Sequence, residues 1–296
     1  MARDDRGEDN RAMATTPDIS VVIGTFNRAA VLRTALASLA WQRTDGQFEY
    51  EIIVVDNGST DGTPHVIAEA EAGRAVSVRG YKELEPGVAA ARNRAIREAT
   101  GRWIAFHDDD QAADPRWLIE LLNLANEKAC HVVGGDVKLR FAEENHRKLS
   151  PICRRLLGEM VGMDRVRRFN RKLVPGTNNM MIARQVFDEV GVFDEAILDG
   201  GEDADLYRRI RTAGYECWFT PQAIVHHIIP PERLEDAYMR WTSLRQGGHV
   251  ALRERHDWGA AVLPLVATAR AVQALMGYLP RYCLARLMQK PEAALG

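Results

Sequence analysis

From Ile19 onward, short apolar runs alternate with longer segments of helical period. "DISVVIGTF" is β-branched and reads as a buried strand, and "RAAVLRTALASLAWQ" has apolar residues at helical spacing. "YEIIVVDNGSTDGT" is a second strand ending in a turn-rich cluster, followed by a short helix, "TPHVIAEAEA", with Pro64 in its first turn. "AVSVRGY" reads as a third strand. "PGVAAARNRAIREAT" reads as a helix opened by Pro86 and Gly87 and closed by Gly101. "RWIAF" is a fourth strand with "HDDDQ" just past its end, and "DPRWLIELLNLANEKA" a helix with Asp114 as N-cap and Pro115 at its first position. This alternation predicts an α/β fold with a mostly parallel central sheet flanked by helices. Ligands of such sheets lie beyond the carboxyl ends of the strands. The clusters Thr25–Arg28, Asp56–Asp61 and Asp108–Gln111 should therefore converge on one edge.

After Ala129 the pattern loosens. "HVVGGDVKLRF" is a strand candidate, and the stretch from Arg147 to Lys172 is basic with weak periodicity. A loop, two helices and a strand ending at His226 and His227 follow. Residues 1–17 are polar and mixed in charge with no apolar core, which reads as a disordered tail and not a signal peptide. The expected organisation is a domain over 18–230, with a nucleotide-binding half over 18–112 and an acceptor half over 113–230, then a helical region over 231–296. Its apolar run, "GAAVLPLVATARAVQALMGYLP", is broken by Pro264 and Arg270, so no uninterrupted apolar stretch is long enough to span a bilayer. It suits a helix packed on the domain or on a second subunit, or an interfacial helix flanked by Arg281, Arg286 and Lys290.

Charge and cysteine content narrow the classes. The 296 residues carry a formal net charge of −2, so no global field favours nucleic acid. The four cysteines form no C-x-x-C pair, which fits a reducing, cytoplasmic setting and no zinc ribbon.

The candidate chemistry begins with Asp108, Asp109 and Asp110. Hard divalent cations take oxygen ligands, and Mg²⁺ usually takes one or two protein carboxylates and completes its shell with phosphates and water. In an extended turn Asp108 and Asp110 need not point the same way. A solvated acidic turn that caps the next helix accounts for the triplet as well. Glu202 and Asp203, preceded by Gly200 and Gly201, form a second acidic cluster at the mouth of a predicted helix. It reads as a positioned general base or as ordinary pairing with the helix dipole. His226 and His227 read as core residues or as metal or phosphate ligands.

Six segments in order, "SVVIGTFNR", "IIVVDNGSTDGT", "PGVAAARNRAI", "WIAFHDDD", "PGTNNMMIARQVFDEVGVFDE" and "GGEDADLYRRIRTAGY", resemble the family-2 inverting glycosyltransferases with the GT-A fold. The resemblance runs from about Ile19 to His227. It implies that Thr25 and Phe26 lie against a nucleotide base with Arg28 nearby, that Asp56 accepts a hydrogen bond from the base, and that Gly58 leaves room for it. By the same resemblance Arg92 braces the nucleotide pocket, Asp108 binds ribose or donor sugar, Asp109 lines the donor site, and Asp110 ligates the cation. Asp203 matches the catalytic base, with Glu202 beside it, and His227 fits a second metal ligand better than His226. The implied cofactor is Mn²⁺ or Mg²⁺. The implied partners are a nucleoside-diphosphate sugar, UDP-sugar by default, and a saccharide, lipid-linked or small-molecule acceptor.

Several residues depart from the commoner pattern. His107 stands where an apolar residue is frequent, which implies a partly exposed strand end. "AYMRW" has Ala237 in place of the glutamine of processive synthases, so Arg240 and Trp241 read as helix-packing residues. The basic stretch reads as a solvated face or as an acceptor loop, in which case neutralising Arg167, Arg168 and Arg171 raises the acceptor KM. A sugar nucleotidyltransferase would want a glycine-rich phosphate loop after the first strand, which "GTFNRAA" lacks. A catalytically inactive binding protein of the same fold is the other alternative, against which Asp110 and Asp203 are both present. The missing G-x-G-x-x-G excludes a Rossmann dehydrogenase.

Overall fold

In the computed structural model, described for residues 16–73, 75–141, 149–160, 163–170, 174–198, 200–277 and 279–280, the apolar runs become strands of one sheet. The expected tail, apart from Thr16 and Pro17, lies outside the described residues, as do Arg171, Arg281, Arg286 and Lys290. The chain divides into two compact units, one ending at Tyr238 and one starting at Met239.

The order is β1 (Ile19–Thr25), α1 (Ala29–Leu39), β2 (Tyr50–Asp56), α2 (Thr63–Glu71), β3 (Ser77–Lys82), α3 (Val88–Glu98) and β4 (Trp103–His107). Then come β5 (Gln111–Ala113), α4 (Trp117–Lys128), β6 (Val132–Phe141), α5 (Pro151–Leu156), β7 (Arg167–Arg168) and β8 (Asn179–Ala183). The chain continues through α6 (Arg184–Val190), α7 (Glu202–Thr212), β9 (Cys217–Ile229), a 3-10 turn (Pro231–Leu234), α8 (Asp236–Trp258) and α9 (Leu263–Gly277). The strand order is β3-β2-β1-β4-β8-β6-β9-β5, with β7 paired to β9. The pairings among β1 to β4 are parallel, as the alternation predicts. Beyond β4 the sheet is mixed: β8 runs antiparallel to β4 and β6, β9 runs parallel to β6, and β5 runs antiparallel to β9.

Both faces of the sheet are covered, because successive strand residues point to opposite sides. Val21, Ile23, Ile52 and Val54 pack with α1, α2 and α4. Val22, Ile53, Val55, Ile104 and Phe106 pack with α3, α6 and α7. The close crossing at Gly135 leaves no space for a side chain: a Cβ there would lie 2.2 Å from the Ala223 carbonyl oxygen.

Three local expectations change. His107 is 2% exposed, since β4 is central and the Trp117 ring packs edge-on over the imidazole at 5.2 Å. α4 begins at Trp117, two residues later than expected, because Asp114 and Pro115 form a turn in which Asp114 Oδ1 accepts the Arg116 N–H at 2.9 Å. Trp241 is 52% exposed, with the Arg245 guanidinium 4.9 Å from its ring centroid, so it is not a packing residue within its own unit. No described helix is long and apolar enough to cross a membrane.

Candidate active site

The loops beyond β1, β2 and β3 are stitched together. Asn27 adopts a left-handed conformation at φ 52°; its N–H donates to Ser59 Oγ at 2.8 Å and its Oδ1 accepts the Thr60 N–H at 2.7 Å. Asn57 Nδ2 donates to the Glu83 and Glu85 carbonyls, and its Oδ1 accepts the Gly87 N–H. Asp56 is buried and its Oδ1 accepts the Ser59 N–H at 2.9 Å. Gly58 has φ 83°, a conformation that L side chains rarely adopt, with open space where a Cβ would point. Phe26 is 54% exposed at the end of β1. The first two predicted polar clusters thus meet on one edge.

The third cluster joins them through a turn that the periodicity does not reveal. After β4 the chain reverses at Asp108–Asp110, and β5 leaves the sheet centre to pair with β9. That pairing sets Gln111 opposite His227 and Ala112 opposite His226. Adjacent strand residues face opposite ways, so only one histidine can face the carboxylates. It is His227, whose Nε2 lies 3.4 Å from Asp110 Oδ2.

The three aspartates diverge. Asp109 is buried; its Oδ2 accepts Thr25 Oγ1–H at 2.7 Å and its Oδ1 accepts Arg28 Nη1–H at 2.9 Å. Arg28 therefore faces Asp109 and Asp110. Burial raises the Asp109 pKa, opposed by Arg28 and Thr25. Asp110 Oδ2 receives Arg28 Nη1–H and Arg233 Nη2–H, each at 2.9 Å. Burial works against its ionisation, but the guanidinium charges of Arg233 and Arg28 outweigh it and hold the carboxyl well below the usual carboxylate range. Asp108 turns the other way, with Oδ1 3.5 Å from Arg92 Nη2. Burial, Asp110, Asp109 and Asp203 push it up to about 6 against the pull of Arg92. Its side chain keeps 39% of its surface open.

Arg92 connects the two acidic clusters. Its Nη1 donates to Glu202 Oε1 and to Asp203 Oδ1, both at 2.8 Å. The guanidinium lies 5.4 Å from the Phe193 ring centroid, and the neighbouring Asn93 bonds the Phe193 backbone through both ends of its amide. Burial lowers the Arg92 pKa, and Asp203, Asp108 and Glu202 outweigh it. Glu202 and Asp203 open α7 after two positive-φ glycines, Gly200 and Gly201. Burial, then Asp203, raises Glu202, while Arg92 opposes the rise. Thr177, which the sequence reading did not single out, holds Asp203 twice: Oγ1–H donates to Oδ1 at 2.6 Å and N–H to Oδ2 at 3.2 Å. Arg233 was missed as well, six residues past His227 with no motif to mark it.

Among the described residues no group of three or more His, Cys, Asp and Glu forms a ready metal cage. Asp110 and His227 supply one oxygen and one nitrogen donor at a common point. His227 Nδ1 is tied to the Leu157 carbonyl at 2.9 Å, which sets Nε2 on the side of Asp110. That pair fits a cation whose remaining ligands are phosphate oxygens and water, and the imidazole suits Mn²⁺ better than Mg²⁺.

Of the basic stretch, Arg168 Nε donates to Glu216 Oε2 at 2.9 Å and its guanidinium lies 5.5 Å from the Trp218 ring centroid. Arg167 reaches Met163 Sδ at 3.6 Å.

An α/β sheet flanked by helices, with acidic groups at the strand ends, is the architecture of the GT-A glycosyltransferases. The chain belongs to Glycosyl transferase family 2, whose sequence profile matches residues 20–191, and it is a glycosyltransferase. It is 26% identical over 218 residues to glycosyltransferase AglE of Haloferax volcanii, covering 74% of this chain and 69% of AglE. It is 24% identical over 234 residues to the succinoglycan biosynthesis protein ExoM of Rhizobium meliloti, covering 78% of this chain and 74% of ExoM. The crystal structure of S. aureus TarS 1-349 in complex with UDP-GlcNAc superposes with a TM-score of 0.56 at 18% identity, covering 75% of this chain and 60% of TarS 1-349. Some relatives are matched over as little as 15% of their length.

Proposed function

We propose that this chain moves a sugar from a nucleoside-diphosphate sugar, with UDP-sugar favoured, to an acceptor hydroxyl with inversion, in glycan, polysaccharide or glycolipid assembly. The observation that carries this reading is Arg92, whose guanidinium reaches Asp108 on one side and Asp203 on the other. It brings the donor-side carboxylates and the proposed base to one place. The name of ExoM and the UDP-GlcNAc complex of TarS support the substrate class.

In this reading the base lies in the pocket formed by Phe26, Asp56 and Gly58, and Asp108 faces the ribose or donor sugar. Asp203 is the general base: its side chain is 30% exposed, against 11% for Glu202, so an incoming hydroxyl reaches it first. The acceptor oxygen forms a bond to the anomeric carbon as the bond from that carbon to the diphosphate oxygen breaks. The acceptor proton passes to Asp203, and the electron pair leaves with the nucleoside diphosphate. Such base assistance is worth about 10²–10⁴-fold. A divalent cation held by Asp110 and His227 would offset the charge growing on the diphosphate. Thr177 and Arg92 fix the rotation of Asp203, and Thr25 and Arg28 brace Asp109.

α9 has no buried residues, and Leu265, Leu275 and Met276 are 73%, 58% and 77% exposed. We read it as the contact with the inner face of a membrane or with a second copy. Cosedimentation with anionic vesicles, against dimerisation in solution, separates the two. The domain division at 18–112, 113–230 and 231–296 belongs to the same proposal.

The test is a panel of nucleotide sugars incubated with Mn²⁺. Slow metal-dependent release of one nucleoside diphosphate is expected. Binding without turnover, under conditions that also include candidate acceptors, would point to an inactive binding protein.

A further inference from the structure

Arg233 holds both donor atoms of the candidate cation site at once. Nη1 lies 2.8 Å from His227 Nε2, and Nη2 donates to Asp110 Oδ2 at 2.9 Å. A guanidinium only donates, so Nε2 is the acceptor in this contact, and His227 carries its proton on Nδ1, facing the Leu157 carbonyl. An imidazole nitrogen has one lone pair. That lone pair is already used by Arg233, so His227 cannot ligate a metal until Arg233 leaves. The carboxylate imposes no such exclusion, because Asp110 has further lone pairs and keeps Arg28 in either case.

We propose that Arg233 is a built-in occupant of the cation site that exchanges Asp110 and His227 for the diphosphate of the nucleotide when cation and nucleotide bind together. The proposal rests on the function argued above. Three features carry it. Arg233 stands on the four-residue turn Pro231–Leu234 directly after β9, so the strand that presents His227 also presents its competitor. Its side chain keeps 20% of its surface open, enough to turn away from the pair. A guanidinium fork also matches phosphate oxygens in geometry and charge, so the displaced side chain meets a suitable partner where the diphosphate lies. The consequence is coupling: Mn²⁺ alone binds weakly because it must expel Arg233, and nucleotide repays that cost by accepting the guanidinium.

The experiment measures Mn²⁺ binding by electron paramagnetic resonance, and UDP binding by calorimetry with and without Mn²⁺, for the wild-type chain, Arg233→Ala, Arg233→Lys and Asp110→Asn. Expected for Arg233→Ala is Mn²⁺ binding about tenfold tighter in the absence of nucleotide, UDP binding about tenfold weaker in the presence of Mn²⁺, and a coupling between them reduced to what direct contact between cation and phosphate supplies. Arg233→Lys should fall between, since an ammonium cannot span both atoms. A purely structural role would weaken both ligands together. Mn²⁺ affinity unchanged or weakened in Arg233→Ala overturns the exchange. If Asp110→Asn abolishes Mn²⁺ binding in that same series, the cation site stands and only the exchange has failed. Mn²⁺ binding that survives Asp110→Asn overturns the cation site and the exchange with it. Unchanged melting of the metal-free variants, to within a few degrees, shows that folding is not the cause.

Discussion

Arg92 Nη1 donates to Asp203 Oδ1 at 2.8 Å, joining residues 111 positions apart. The same guanidinium reaches Glu202 and Asp108, and its side chain is only 11% exposed. Removing it leaves three carboxylates facing one another without a cation. Arg92→Ala is expected to lose about 3 kcal/mol of stability in urea unfolding, as for other buried charges stripped of a partner. A loss below about 1 kcal/mol would show that the cluster relaxes into solvent and that Arg92 is not its keystone.

Asp203→Asn should lower kcat by about 10²–10⁴-fold while changing UDP affinity by no more than a few-fold. Glu202→Gln should cost much less, because Glu202 is the more enclosed of the two, 11% exposed against 30% for Asp203. Steady-state rates and calorimetry on both variants decide the assignment, and the reverse ranking would move the base to Glu202.

Thr177 positions Asp203 through its hydroxyl and its backbone N–H. Thr177→Ala keeps the backbone bond and loses the hydroxyl, a charge-assisted contact worth about 1.5–3 kcal/mol. The expected result is a kcat at least about tenfold lower with donor KM little changed, and recovery in Thr177→Ser. Equal loss in the serine variant would assign the effect to packing of the methyl group.

His107 is buried, with no protein hydrogen-bond partner for either ring nitrogen among the described residues. Burial pushes its pKa down from 6.5 to about 4. Between those values the unfolded chain takes up a proton that the folded chain refuses. The stability linked to neutral His107 is therefore complete above pH 6.5 and lost as pH falls toward 4. Asp108 and Asp136, both raised to about 6, act in the opposite sense, so the wild-type curve is a sum. The difference between wild type and His107→Phe isolates the histidine: the variant should gain up to about 3 kcal/mol on wild type as the medium is acidified through this window. Parallel stability curves for the two proteins would rule the effect out.

The amino-acid order alone determined the first half of the fold and which polar clusters stand at its strand ends. β-branched runs alternating with 3.6-residue periods can bury their apolar faces only as a helix-covered sheet, and that places Thr25, Asp56 and the three aspartates at strand ends. The tertiary structure decided what those residues do to one another. β5 is three residues long, too short for periodicity to register, yet its pairing with β9 selects His227 over His226. The divergence of Asp108, Asp109 and Asp110 comes from a chain reversal, and their partners Arg92, Arg28 and Arg233 arrive from three separate elements. Thr177 and Arg233 carry no sequence signal because hydrogen bonds depend on distance and direction in space. Chain spacing fixes neither of these for residues on different elements, and only packing of the whole sheet brings the groups within reach.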